Sequence, residues 1–149
     1  MIMEILTNLI LSYIGSVSFG IIINVPHRLL NAAGLTGVCG WMTYLLFHDL
    51  NLGIFISNFM GALVIGLISY LFAKYKKVPI LNFNVSGLIC LAPGALTYKG
   101  VHDTVFNGVN SGLNVVVRVM IVILALAVGT MLSQLIDEAF KRIIKKIRA

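Results

Sequence analysis

Residues 113–136 read LNVVVRVMIVILALAVGTMLSQLI, a run that holds one charge, Arg118, in more than the roughly 20 residues a helix needs to cross a bilayer. A helix this apolar on every side needs lipid or a very large core around it. The rest of the chain repeats the pattern. Working back towards the N-terminus, apolar stretches of spanning length run from Ile80 to Tyr98, Leu52 to Ala73, Leu29 to Phe47 and Ile5 to Val25. Of the 149 residues, 59% are hydrophobic and 11% charged, and the mean hydropathy is +1.00. That is far beyond what a soluble domain of this length uses. We therefore expect an all-α integral membrane protein of about five transmembrane helices, a single transmembrane domain over residues 1–149 with no room for a separate soluble unit.

The breaks between stretches have physical causes. Pro26 separates the first two, His48-Asp49 the second and third, and Lys74-Tyr75-Lys76-Lys77 followed by Pro79 the third and fourth. The net charge of +6 reports topology and not nucleic-acid binding, because the bases stand between and after apolar segments. With the N-terminus outside, Arg28, Lys74, Lys76, Lys77, Lys141, Arg142, Lys145, Lys146 and Arg148 fall on the cytoplasmic side, nine of the eleven basic residues. Glu4, Asp49, Asp103 and Lys99 fall outside. This asymmetry gives N-out, C-in, and an odd number of spans. Glu4 replaces the basic start of a secretory signal, so the first segment is expected to be kept as a span. Cys39 and Cys90 lie in apolar sequence without metal-ligand spacing and are read as small core residues.

Four segments carry small residues at every fourth position: Ser12, Ser16 and Gly20; Gly53, Ser57 and Gly61; Ser86, Cys90 and Gly94; Ala125, Gly129 and Ser133. Such stripes let backbones approach closely in a bundle. Beyond Asp137, Phe140, Ile143, Ile144 and Ile147 share one face among five bases, a basic amphipathic tail over 137–149 that suits either the cytoplasmic lipid surface or a simple stop-transfer anchor.

The fourth segment is the least regular. Asn82, Asn84 and Ser86 enter it, Pro93-Gly94 interrupts it, and Thr97 and Tyr98 follow. Proline removes a donor and frees a carbonyl, so we expect a helix broken at Pro93-Gly94 with main-chain groups exposed at membrane depth. Transporters hold small polar substrates at such breaks, while a kink satisfied by neighbouring helices is the competing explanation. Asn107, Asn110, Asn114 and Arg118 follow at helical spacing and are expected to face the bundle or a partner. A guanidinium there could grip a carboxylate, snorkel to the interface or pair with a partner's acid. The candidate substrate-binding set is therefore Asn82, Asn84, Ser86, Pro93, Gly94, Thr97, Tyr98, Asn114 and Arg118. His27, His48 and His102 fall at span ends, and Trp41 and the tyrosines read as packing or interface anchors. No hydrolase, P-loop, dinucleotide or metalloprotease motif is present, so catalytic residues, metal and cofactor are all expected to be absent.

At Ile23-Asn24-Val25-Pro26 with Arg28, and at Leu91-Ala92-Pro93-Gly94 with Tyr98, the sequence resembles the threonine/serine exporter family. The likeness covers nearly the whole chain and is closest to the small five-span subunit of the split form. It departs from the family pattern at Gly87, where relatives often carry proline, and at Arg118. The resemblance implies a secondary transporter in the cytoplasmic membrane that works with a larger membrane subunit of the same family. It implies export of threonine and serine, or of related small carboxylates such as succinate. Membrane lipids are the other expected partner, nucleic acid is not, and a higher oligomer is compatible with the sequence. A non-transporting subunit that stabilises or recruits a partner is the alternative. A membrane enzyme, with Glu4, Asp49 and Asp103 as its external acids, ranks last.

Overall fold

A computed structural model describes the backbone of residues 2–107 and 109–148, and side-chain environments over residues 3–106 and 112–139. All regular structure among the described residues is helical: α1 (Ile2–Ile22), α2 (His27–Asp49), α3 (Ile54–Lys76), α4 (Leu81–Leu88), α5 (Gly94–Asn107) and α6 (Val109–Arg148). Four helices are long and apolar enough to span a bilayer, over Met3–Ile22, His27–Asp49, Ile54–Lys76 and Gly112–Ala139. At 1.5 Å per residue, α4 and α5 reach only about 12 and 21 Å, so neither crosses ~30 Å of hydrocarbon by itself.

The fourth apolar stretch is thus two short helices and not one. The second of them runs on to Asn107 and carries, within helix, His102 together with Lys99 and Asp103, which we expected in an external connection. The last helix also outruns its apolar stretch. Its 40 residues would measure about 60 Å, twice the hydrocarbon thickness, and it passes Asp137 without interruption, so the basic tail continues the span as helix. The tail's apolar face at Phe140, Ile143, Ile144 and Ile147 lies outside the described side chains, as do the side chains of Asn107 and Asn110.

Three helix ends share one device. Asn24, Asn51 and Lys77 take positive φ of 58°, 55° and 55° just past α1, α2 and α3. At the first, Val25 N donates to Gly20 O at 2.9 Å and Asn24 N to Ile21 O at 3.0 Å, the paired bonds of a Schellman ending. Asn51 and Leu52 repeat the pair on His48 O and Phe47 O, and Val78 bonds Ala73 O after Lys77. Asparagine tolerates the left-handed region better than most residues, so two of these stops are written locally.

Packing follows the small residues. Large apolar side chains such as Leu6, Ile10, Ile14, Leu71, Met120 and Leu124 lie exposed, where lipid covers them, while Ser16, Ala33, Thr36, Ser57, Ala62 and Ala125 are fully buried. α4 sits in the groove between α1, α2 and α3, α3 packs along α6, and α5 lies against α6 and no other helix among the described residues. α6 runs parallel to α3: Gly129 meets Phe59 and Ala62, and one turn on Ser133 meets Gly66. Two consecutive long helices in parallel require the chain between them to return to the side where α3 began. α4, the break and α5 supply that return.

A cavity at the helix break

α4 is fixed from three sides by close backbone approach. Ser86 faces Gly20 of α1, and Gly87 faces Thr36 and Gly37 of α2 and Ile65 of α3. Leu91 reaches Gly61 of α3. Just past the end of α4, Cys90 Sγ lies 3.2 Å from Ser16 Oγ and donates to Ser12 O at 3.3 Å. Phe83 plugs the inner end, fully buried beside Phe72. These contacts place the chain's next residues within the depth of the bundle, level with Trp41 and Tyr44 of α2 and Asn58 of α3.

There the helix stops. Cys90, Leu91 and Ala92 donate to the carbonyls three residues back, at 3.4, 3.0 and 3.3 Å, so the end of α4 tightens into 3₁₀-type turns. Pro93 contributes no N–H, and Gly94 N folds back to Ala92 O at 2.8 Å. Helical bonding resumes with Thr97 N on Pro93 O at 2.9 Å, and the Thr97 hydroxyl adds a second bond to the same oxygen at 2.7 Å. The first turn of any helix has N–H groups with no intrahelical acceptor, which here include those of Ala95 and Leu96. The break therefore sets the carbonyl end of one helix and the amide end of another close together, with opposite partial charges.

Both ends open on one cavity of about 250 Å³, lined by Trp41, Tyr44, Asn58, Leu91, Pro93 and Val122 together with Ala92, Ala95 and Leu96. Asn58 is buried, and its amide donates to Ile54 O at 2.7 Å, which holds the side chain against α3. Trp41 and Tyr44 stack with centroids 5.1 Å apart. The lining is chiefly apolar with a few fixed polar groups, the composition of a small-molecule site.

Of the nine residues singled out from the sequence, Pro93 lines this cavity and Gly94 starts the helix beside it. Asn82, Asn84 and Ser86 lie one to two turns inward on α4: Ser86 donates to Asn82 O at 2.8 Å, and buried Asn84 leaves its Oδ1 without a hydrogen-bond partner. Thr97 borders a separate apolar cavity of about 210 Å³ between α5 and α6. Tyr98 is 74% exposed beside His102. Asn114 and Arg118 are exposed on α6, although Val122, Ala125, Gly129 and Ser133 on the same stripe are buried. The stripe is one face, but α3 covers only its inner half. Trp41 and Tyr44, expected as packing or interface anchors, line the cavity instead, and Asn58 beside them was not anticipated. The available signal was Asn58, an amide alone on the apolar third helix.

A family model described as Threonine/Serine exporter, ThrE, matches residues 8–136. The chain belongs to the threonine/serine exporter family. The match begins at Asn8 in α1 and ends at Ile136 in α6, so it takes in the break and every residue of the cavity. Membership makes the chain a membrane protein of exporter type, from a class of transporters and not of enzymes. No solved structure matches it.

Proposed function

We propose that this chain is one subunit of a secondary exporter in the cytoplasmic membrane, and that the cavity at the break holds its substrate. The observation that carries the reading is the pairing of helix ends. The amide end of α5 favours a carboxylate, and the carbonyl end of α4 favours an ammonium, so the break suits the zwitterion of a small amino acid. Asn58 and Tyr44 offer further polar partners, and threonine or serine brings a hydroxyl to use them. At about 250 Å³ the space is smaller than the roughly 300–1,000 Å³ of drug-sized sites, which favours a compact substrate. Small dicarboxylates such as succinate would satisfy only the amide end.

We further infer five crossings, N-out and C-in: the parallel run of α3 and α6 with the α4–α5 segment as the return supports the odd count, and Arg28 in the first turn of α2, the lysines at the end of α3 and the bases after Asp137 support the orientation. The exposed Asn114 and Arg118 sit on a spanning helix, where polar groups need cover from lipid. We assign that cover to a larger subunit of the same family. This strip is also the observation that favours the alternative of a non-transporting, partner-recruiting subunit.

Asn58→Leu separates the two. It keeps the branched side-chain shape and removes the amide, so substrate efflux should fall by roughly tenfold or more, as for loss of a hydrogen bond to a charged group, at unchanged complex abundance. Unchanged efflux would take the cavity out of the transport path and leave the recruiting role.

A further inference from the structure

The cavity at the break belongs to a series of three in which neighbours share lining residues from α1, α2 and the break. The first, of about 490 Å³, is lined by Glu4 and Asn8 of α1 and by Leu45 and Asp49 of α2, among others. The middle one, of about 260 Å³, shares Asn8 with it and extends to Ser12, Trp41 and Cys90. Trp41 and Cys90 in turn line the cavity at the break. Asn8 thus stands at the boundary of the first two compartments and Trp41 at the boundary of the last two. One hydrogen bond joins them, Trp41 Nε1 donating to Asn8 Oδ1 at 3.3 Å.

This line is the polar track on α1. Glu4, Asn8 and Ser12 repeat every fourth residue and line these cavities, while Leu6, Ile10 and Ile14 lie exposed. An indole has two side-chain torsions and swings between rotamers without moving the backbone. Trp41 stands where the middle cavity and the cavity at the break meet, and its hydrogen bond to Asn8 holds the indole there.

We propose that Asn8 and Trp41 form the outer gate of the substrate route, and that turning the indole joins the three cavities into one passage from the helix break to an acidic mouth at Glu4 and Asp49. The carboxylates there draw the ammonium of a departing amino acid outward. This rests on the N-out orientation and on the substrate cavity proposed above.

Cys90 reports on the gate because it lines both the middle compartment and the cavity at the break. In the full complex with Cys39→Ser, Cys90 is this chain's remaining thiol. Its labelling by a membrane-impermeant methanethiosulfonate should be slow from outside intact cells. Asn8→Ala or Trp41→Phe, which removes the indole N–H and keeps a ring, should speed it by about fivefold, the effect of one neutral hydrogen bond on a closed-to-open balance. Rates are normalised to labelling after detergent unfolding, so a poorly folded variant is recognised. An unchanged rate in both variants, or labelling from inside-out vesicles alone, would overturn the gate. Glu4→Cys with both native thiols replaced reports the side of the mouth: labelling from the cytoplasmic face would overturn the orientation and the outward route with it. Faster Cys90 labelling together with unchanged efflux in Asn58→Leu would uphold the gate and remove only the substrate cavity.

Discussion

Asn24 shows how a family motif reduces to backbone chemistry. In Asn24-Val25-Pro26 the asparagine takes the left-handed turn, Val25 is buried at the turn between α1 and α2, and Pro26 caps α2 with φ of −53°. Each residue does what its own geometry favours, so this corner was legible in the sequence. Gly37 was not. It belongs to a run of Gly34, Gly37 and Gly40 on α2, spaced by three where the small-residue stripes of the other segments are spaced by four. A Cβ on Gly37 would collide with Ser16 Oγ, and one on Gly40 would collide with Ile65. Gly37→Ala should therefore destabilise the bundle by about 1–3 kcal/mol, read as a lower melting temperature in detergent and reduced membrane abundance. Gly94→Ala is the control at this scale. A Cβ there meets nothing within 4 Å and the residue has no positive φ, so its abundance should match the unmodified chain.

At the scale of elements, the irregular member is the segment from Leu81 to Asn107. Its interruption was legible, because proline removes a donor and glycine lets the chain open, and the structure decides for a break over the competing kink. Its extent was not. Apolarity marks which residues meet lipid, whereas helix continues wherever backbone bonding is unopposed, and so α5 carries Lys99 and Asp103 to Asn107. The cavity was illegible for a related reason: its walls come from α2 and α3, and their register against the break is set by Gly61 and Gly87 in packing that no linear pattern displays. Pro93→Ala tests the element directly. Alanine restores a donor and a helix-forming residue where the break turns, so the carbonyl and amide ends should close on each other. Efflux should drop at least severalfold while abundance holds or rises, and the comparison of transport with immunoblotted membrane protein checks it.

For the whole molecule, the helices form an open row: α1, α2, α3 and α6 in sequence, with α4 nested against the first three and α5 added at the far edge. α1 and α6 do not meet among the described residues, so the row does not close into a bundle around the cavity. A path for substrate needs a wall on that open side, and the exposed Asn114 and Arg118 need cover in lipid. Both support the second membrane subunit proposed above. The charge pattern from which N-out and C-in are proposed was plain in the sequence, because it depends on counting and not on packing. The open edge was not, since it depends on which helices touch. The central claim is that this chain completes an exporter only together with a larger partner. The most direct measurement is efflux of preloaded labelled threonine, serine and succinate from cells lacking their own exporters, with this chain expressed alone and with its large partner, both confirmed in the membrane. The account predicts efflux of threonine or serine from the pair and none from the chain alone. Equal efflux by the chain alone, or none of the three substrates moved by an assembled pair, would contradict it.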